Sequence, residues 1–378
     1  MEKTMHLNQL KLIAAAIVIA TSSMAVSYAA PANHEISFYG ANGLRELTAK
    51  EIVSPNENPF GLVYHGAITK NIKDQVNIHP VNYFLNGNKI AANIYTPANF
   101  DTKKKYPAIV IAHPNGGVKE QVAGLYAQRL AELGYVTIAA DASFQGASGG
   151  QPRNLDNPAF RVEDIHGMAD IIATFKGVDA DRIGALGICG GGGYTLKASQ
   201  TDKRLKAVAT LSMFNSGVVR KDGFLNTAKD STLKRLHEAS EQRAKEALGA
   251  KVERTAATEK VSFTQEQLDK MPTLYREGIV YYGHTHAHPN STFQYTVRSN
   301  LDLFTFDARE NMDLIDQPLL MMAGGQADTL YMTEDCYNVA TSAKSKELFK
   351  VEGATHIQTY FCEYSINSQF KKNVKGPI

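Results

Sequence analysis

The hydrophobic pattern changes character twice along the chain. From Tyr106 onward, continuous apolar runs alternate with helical periodicity. Pro107-Ala108-Ile109-Val110-Ile111-Ala112 is apolar throughout, the pattern of a strand buried on both faces of a sheet. Leu125, Leu130 and Leu133 then recur near helical spacing, and Tyr135-Val136-Thr137-Ile138-Ala139-Ala140 predicts the next strand. The rhythm continues through a helix near Val162 to Phe175, a strand at Arg182-Ile183-Gly184-Ala185-Leu186, a helix over Tyr194 to Ser199 and a strand at Ala207-Val208-Ala209-Thr210-Leu211. Alternation of this kind predicts an α/β fold with a doubly wound, mostly parallel sheet. Upstream, Val81 to Leu85 and Lys89 to Tyr95 flank Asn86-Gly87-Asn88 and read as a hairpin.

The rhythm stops near Phe214. Residues 216–305 are charged and helical in texture, as in Leu233 to Leu248, and contain no buried-strand run. It resumes with Pro318-Leu319-Leu320-Met321-Met322-Ala323. The interruption predicts a helical cap inserted over the C-terminal edge of the sheet. The expected organisation is therefore a core of residues 81–215 and 306–378, a cap of 216–305 and an N-terminal segment of 30–80. Residues 1–29 read as an export signal. Lys3 and Lys11 precede the apolar run Leu12 to Val26, and Ser27-Tyr28-Ala29 offers small residues for cleavage before Ala30. The mature protein is expected to be periplasmic or secreted, with no stable membrane anchor once the signal is cut. A formal charge of only +2 on 378 residues gives no electrostatic case for nucleic acid.

The candidate chemistry centres on Gly187-Ile188-Cys189-Gly190-Gly191-Gly192-Gly193. A strand, a sharp turn and a helix with a nucleophile at the tip make a nucleophile elbow, and small residues must stand two before and two after the nucleophile. Gly187 and Gly191 meet that demand. The site lacks the Gly that a dinucleotide fingerprint needs at position 189 and the Lys that a phosphate loop needs at 193. Gly146-Ala147-Ser148-Gly149-Gly150 also matches G-x-S-x-G, but its strand ends near Ala140. Pro152 and Pro158 follow, so it reads as a loop in which no helix starts.

A cysteine nucleophile needs a base, and the base needs an orienting group. In an α/β-hydrolase fold they arrive in the order nucleophile, acid, His, each after a strand. Leu319 to Ala323 leads into Gly324-Gly325-Gln326-Ala327-Asp328, and Glu347 to Val351 leads into Glu352-Gly353-Ala354-Thr355-His356. Asp328 is thus the expected orienter and His356 the expected base. The oxyanion donors are expected from Gly190 and from Asn115 or Gly116, because Pro114 has no N–H. The helix N-terminus and His356 are expected to favour the Cys189 thiolate.

Three further features carry weaker expectations. Tyr281 and Tyr282 are candidate substrate contacts from the cap. On a strand, His284, His286 and His288 would share one face, yet no Cys or carboxylate nearby completes a zinc set, so no metal is expected. Of the three cysteines, Cys336 and Cys362 read as buried thiols near the starts of two helices on opposite faces of the sheet.

His113-Pro114-Asn115-Gly116-Gly117-Val118-Lys119-Glu120-Gln121, Gly187-Ile188-Cys189-Gly190, Ala327-Asp328-Thr329-Leu330-Tyr331 and Gly353-Ala354-Thr355-His356 together resemble an α/β-hydrolase related to dienelactone hydrolase. They resemble still more closely uncharacterised bacterial hydrolases that join such a core to a helical cap. The resemblance implies the α/β-hydrolase fold and a Cys-His-Asp triad, and little about the substrate. The expected activity is hydrolysis of an ester, thioester or lactone of a small acyl compound through an acyl-cysteine, without a cofactor. The alternatives are a cysteine acyltransferase or peptidase on the same residues, or a non-catalytic exported binding protein.

Overall fold

The computed structural model describes residues 58–361. The signal segment and Cys362 lie outside the described residues.

Eight strands form one sheet in the order β1-β2-β4-β3-β5-β6-β7-β8. The hairpin strands β1 (Asn77–Leu85) and β2 (Asn88–Thr96) are antiparallel, and β2 pairs antiparallel with β4 (Val136–Ala140). From there the pairing is parallel through β3 (Tyr106–Ala112), β5 (Val178–Ile188), β6 (Leu205–Leu211), β7 (Leu319–Gly324) and β8 (Lys346–Val351). This is the α/β-hydrolase fold. The buried positions follow the pattern of the sequence. Ala108 to Ala112, all of β4 and all of β7 are buried, whereas Phe84 on the edge strand β1 is 78% exposed.

Several boundaries move, each for a local reason. Strand β1 begins at Asn77, four residues before the apolar run, because pairing continues to Thr96. Strand β5 starts at Val178, ahead of Arg182. The helix α2 (Pro158–Thr174) follows α1 (Val122–Glu132) and starts at the proline taken to forbid it. Asn157 caps α2 by accepting from the Ala159 N–H, and Pro158 takes the first turn, where a missing N–H costs nothing. The Ser148 loop still has no helix behind it. Its hydroxyl donates to Asp141 O at 2.7 Å and accepts from Ala91 N at 2.9 Å, so it serves as a buried brace.

Helix α3 (Gly190–Thr201) follows β5 directly and includes all four glycines in its first turn. Between β6 and β7 the described chain adds no strand to the sheet. It holds α4 (Ser216–Asp222), α5 (Thr232–Ala247), α6 (Gln265–Asp269), α7 (Thr273–Val280) and α8 (Asn300–Leu303), then returns to β7. Helix α9 (Leu330–Val339) and a last turn at Ile357–Tyr360 complete the description. Cys336 lies within α9, fully buried, rather than near its start, and burial pushes its thiol up to about 12.

Candidate active site

The elbow is set by backbone geometry. Cys189 has φ 54° and ψ −123°, a left-handed conformation that costs a non-glycine residue on the order of 1–3 kcal/mol. The strain is held by the Cys189 N–H donating to Leu211 O on β6 at 2.9 Å, and by its carbonyl accepting from Gly192 N at 2.8 Å and Phe214 N at 2.9 Å. The flanking glycines are demanded by close approach. A Cβ on Gly187 would sit 2.5 Å from Gly191 O, and one on Gly191 would sit 2.5 Å from Ala112 O. A Cβ on Gly190 would fall 2.1 Å from Asn115 Oδ1.

The loop after β3 is fixed from below. His113 sits with Nδ1 2.7 Å from Pro114 O, while its Nε2 accepts from Ala142 N at 3.0 Å. That pattern needs a neutral ring, and burial lowers its pKa to about 3. Arg161 donates to His113 O at 2.8 Å and stacks over the Tyr194 ring at 4.9 Å. Asn115 Nδ2 donates to Ser216 Oγ at 2.8 Å. The Gly190 and Asn115 N–H groups both face the Cys189 sulfur. Gly116 instead turns its carbonyl to the cap, where Thr292 N donates to it at 3.0 Å and Ser291 Oγ at 2.7 Å. Of these two residues, Asn115 is the one whose N–H faces the Cys189 sulfur.

The acid–base side differs from expectation. His356 is fully buried, but its Nδ1 lies 2.6 Å from Thr329 Oγ1, not beside Asp328. Its Nε2 lies 3.1 Å from Tyr360 Oη, and Tyr360 in turn faces the Cys189 sulfur. Asp328 Oδ2 accepts from the Leu274 N–H at 3.0 Å, and its Oδ1 is buried without a partner. The cause is the cap. The free N–H groups at the start of α7 draw the carboxylate, as helix N-termini do. Burial raises the Asp328 pKa, and those backbone N–H groups of Leu274 and Thr273 oppose the rise. A second tie comes from Thr355 Oγ1, which donates to Glu277 Oε2 on α7.

The expected thiolate is likewise corrected. Burial pushes the Cys189 thiol up, and only in part do the Tyr360 hydroxyl, the two N–H groups and Arg161 oppose it. Burial also lowers the His356 pKa to about 3. The resting pair is a thiol and a neutral imidazole, with Tyr360 between them.

The cap contributes unevenly. Tyr282 is buried, and the Tyr281 and Cys189 groups lie in its electrostatic field. Tyr281 is packing material: it stacks on His286 at 4.3 Å and meets Tyr360 edge-on at 5.4 Å. The three histidines do not lie on a strand. Residues Tyr281–Thr285 form a π-helical turn that leaves His284 exposed, buries His286 and leaves His288 half-buried. Among the described residues no cluster of three or more His, Cys, Asp or Glu side chains is placed to hold a metal. Lys119, Glu120 and Asp141 form a buried ion cluster under the β3 loop, and Arg153 braces the Ser148 loop through the Gly146 and Ser148 carbonyls.

Sequence reasoning missed Tyr360 and Thr329. Tyr360 stands four residues after His356 and Thr329 directly after Asp328, so proximity was the available signal.

Residues 86–358 match the family model described as X-Pro dipeptidyl-peptidase, S15. The chain belongs to that family. It is 39% identical over 286 residues to the uncharacterized protein YcjY of Escherichia coli (strain K12), covering 73% of this chain and 91% of that one. The crystal structure of hypothetical protein PA2218 from Pseudomonas aeruginosa superposes with a TM-score of 0.70 at 31% identity, covering 80% and 94% of the two chains. The α/β hydrolase GrgF from Penicillium shares the fold at a TM-score of 0.59 and 22% identity, covering 74% and 91%. These likenesses support hydrolase chemistry and the α/β-hydrolase superfamily.

Proposed function

We propose that the protein hydrolyses an ester, thioester or lactone of a small acyl compound through an acyl-Cys189 intermediate. The observation that carries this reading is the strained Cys189 at the start of α3, with the Gly190 and Asn115 N–H groups turned to its sulfur. Those donors suit an oxyanion formed beside the sulfur. Cys189 attacks the carbonyl as its proton passes through the Tyr360 hydroxyl to His356 Nε2. With the proton assigned to Nδ1, the ring donates to Thr329 and accepts from Tyr360. The imidazolium then returns a proton to the leaving group, and water releases the acyl chain by the reverse path.

The test is a panel of p-nitrophenyl esters of rising acyl length, with intact-mass detection of the acyl-enzyme. An adduct mapped to Cys189 supports the reading. Turnover without one, in a protein whose Cys189→Ala form stays active, defeats it. The family description favours a second reading, cleavage of peptide bonds after proline, and Ala-Pro-p-nitroanilide measures that directly. The proposal places the mature protein outside the cytoplasm, on the strength of Lys3, Lys11, Leu12 to Val26 and the small residues before Ala30. N-terminal sequencing that finds Met1 would remove it.

A further inference from the structure

Among the described residues, the Arg220 guanidinium contacts an aromatic ring and pairs with no carboxylate. The residue lies on α4, which begins immediately after the loop that leaves β6. Ser216 on the first turn of α4 accepts from the Asn115 side chain, which itself lies against Gly190. Arg220 is four residues later, so it presents to the same face as Ser216. Its guanidinium carbon rests 4.4 Å from the centroid of the Tyr295 ring. Its Nε is buried without a partner, and among the described residues no carboxylate pairs with it.

The groups in electrostatic reach of Arg220 are Tyr295, Asp156, Tyr275 and Tyr194. Three of these are phenols. The fourth, Asp156, accepts from Tyr194 Oη at 3.4 Å and stays outside ion-pair distance of the arginine. Tyr275 is the link to the chemistry, because it feels Arg220, Asp328 and Cys189 together. Arg276 is the instructive contrast. It too has a buried, unpartnered Nε, but both Asp328 and Glu277 lie in its field. The cleft of about 440 Å³ on the other side of α4, lined by Val218, Asp222 and Arg309, does not include Arg220 or Cys189.

A guanidinium seated on an aromatic ring, with a buried, unpartnered Nε–H and no carboxylate beside it, is arranged to receive one. We propose that Arg220 binds a carboxylate of the substrate, and that the acyl compounds cleaved at Cys189 are therefore anionic, such as the monoesters of short dicarboxylic acids. The inference rests on the hydrolase reading for its chemistry, but the binding step does not need turnover.

Two measurements separate the two. The first is protection of wild-type Cys189 from iodoacetamide by glutarate, with neutral glutaramide as the control. Glutarate is expected to protect and glutaramide is not. The second is kcat/KM for p-nitrophenyl hydrogen glutarate against p-nitrophenyl butyrate. A charge-assisted bond predicts a preference for the anionic ester of about tenfold or more. In Arg220→Met both the protection and the preference should disappear, in Arg220→Lys part of each should remain, and in Arg276→Met both should persist. Absence of glutarate protection in the wild type overturns the proposal, as does protection that survives Arg220→Met or Arg220→Lys undiminished. Arg220-dependent protection in a protein that cleaves neither ester sustains the carboxylate site and sinks the hydrolase reading instead.

Discussion

The two halves of the site are built by different means. The nucleophile half, the elbow around Cys189, is held by backbone: a strained residue, three main-chain hydrogen bonds and glycines where chains touch. The acid–base half is held by side chains that had several partners to choose from. Asp328 has taken the N-terminus of α7, Thr329 has taken His356, and Tyr360 has taken the space between His356 and Cys189. Backbone demands permit few residues at a position. A side-chain carboxylate is satisfied by whichever donor lies nearest, and here the cap supplies it.

The comparison predicts that the nucleophile half fails steeply and the other half by degrees. Cys189→Ala should remove activity by about 10⁴-fold, because nucleophile and base act as a unit. Ser148→Ala, which loses only the brace between Asp141 and Ala91, should keep it. Steady-state hydrolysis with circular dichroism to confirm folding checks both, and the reverse ranking would move the nucleophile to Ser148. Gly190→Ala should follow at about 10²- to 10³-fold in kcat, the usual cost of a lost oxyanion donor. The new methyl would meet Asn115 at 2.1 Å and drive the β3 loop away. Near-normal kcat in that variant would mean that the two N–H groups do not stabilise the transition state.

Tyr360→Phe tests the other half. If the hydroxyl carries the proton between Cys189 and His356, its loss should lower kcat about 10²-fold, within the range of acid–base catalysis. Unchanged kcat would show that His356 reaches the thiol directly in the working enzyme.

The same contrast explains what the sequence disclosed. The continuous apolar runs around Val110, Ile138 and Met321 gave the parallel sheet, because burial on both faces leaves little freedom of residue type. Gly187 and Gly191 gave the elbow for the same reason. Pro158 misled because a proline forbids a helix interior but suits its first turn, and only Asn157 beside it decides which applies. The alternation of His284, His286 and His288 does not mark a strand, because it runs across a π-helical turn. The partner of His356 was not legible, since the choice between Asp328 and the adjacent Thr329 depends on where α7 sits, and α7 has no distinctive pattern of its own.

Protonation follows burial in both halves. The Cys189 thiol is raised above its ordinary value, so at neutral pH less of it is thiolate than in a free cysteine. Its alkylation by iodoacetamide should rise about tenfold per pH unit and continue rising through pH 9. A plateau below pH 8 would show a thiolate held by the helix and His356. Cys336, pushed up to about 12, should also react slowly at neutral pH. The acid side has the opposite sign. His356 is lowered to about 3, so its neutral, proton-accepting form persists as pH falls from 7 to 5. Activity limited by this group should persist over that range, and a half-loss near pH 6.5 would contradict it.

The smallest effect expected is also the one that separates the two possible orienters. Asp328→Asn keeps an oxygen for the Leu274 N–H, and it removes a charge that touches neither His356 nor Cys189 in this structure. It should lower kcat by less than about tenfold and stability by about 1 kcal/mol, the scale of one hydrogen bond. Thr329→Val keeps the shape and removes the oxygen facing Nδ1, so it should lower kcat more than Asp328→Asn does. Parallel kcat and thermal-melt measurements on the two variants decide the matter. A collapse of kcat in Asp328→Asn with an unchanged melt would mean that the carboxylate leaves α7 for His356 during turnover. Its unpartnered Oδ1 would then be the acceptor that makes the exchange possible, and cap movement would be part of the reaction.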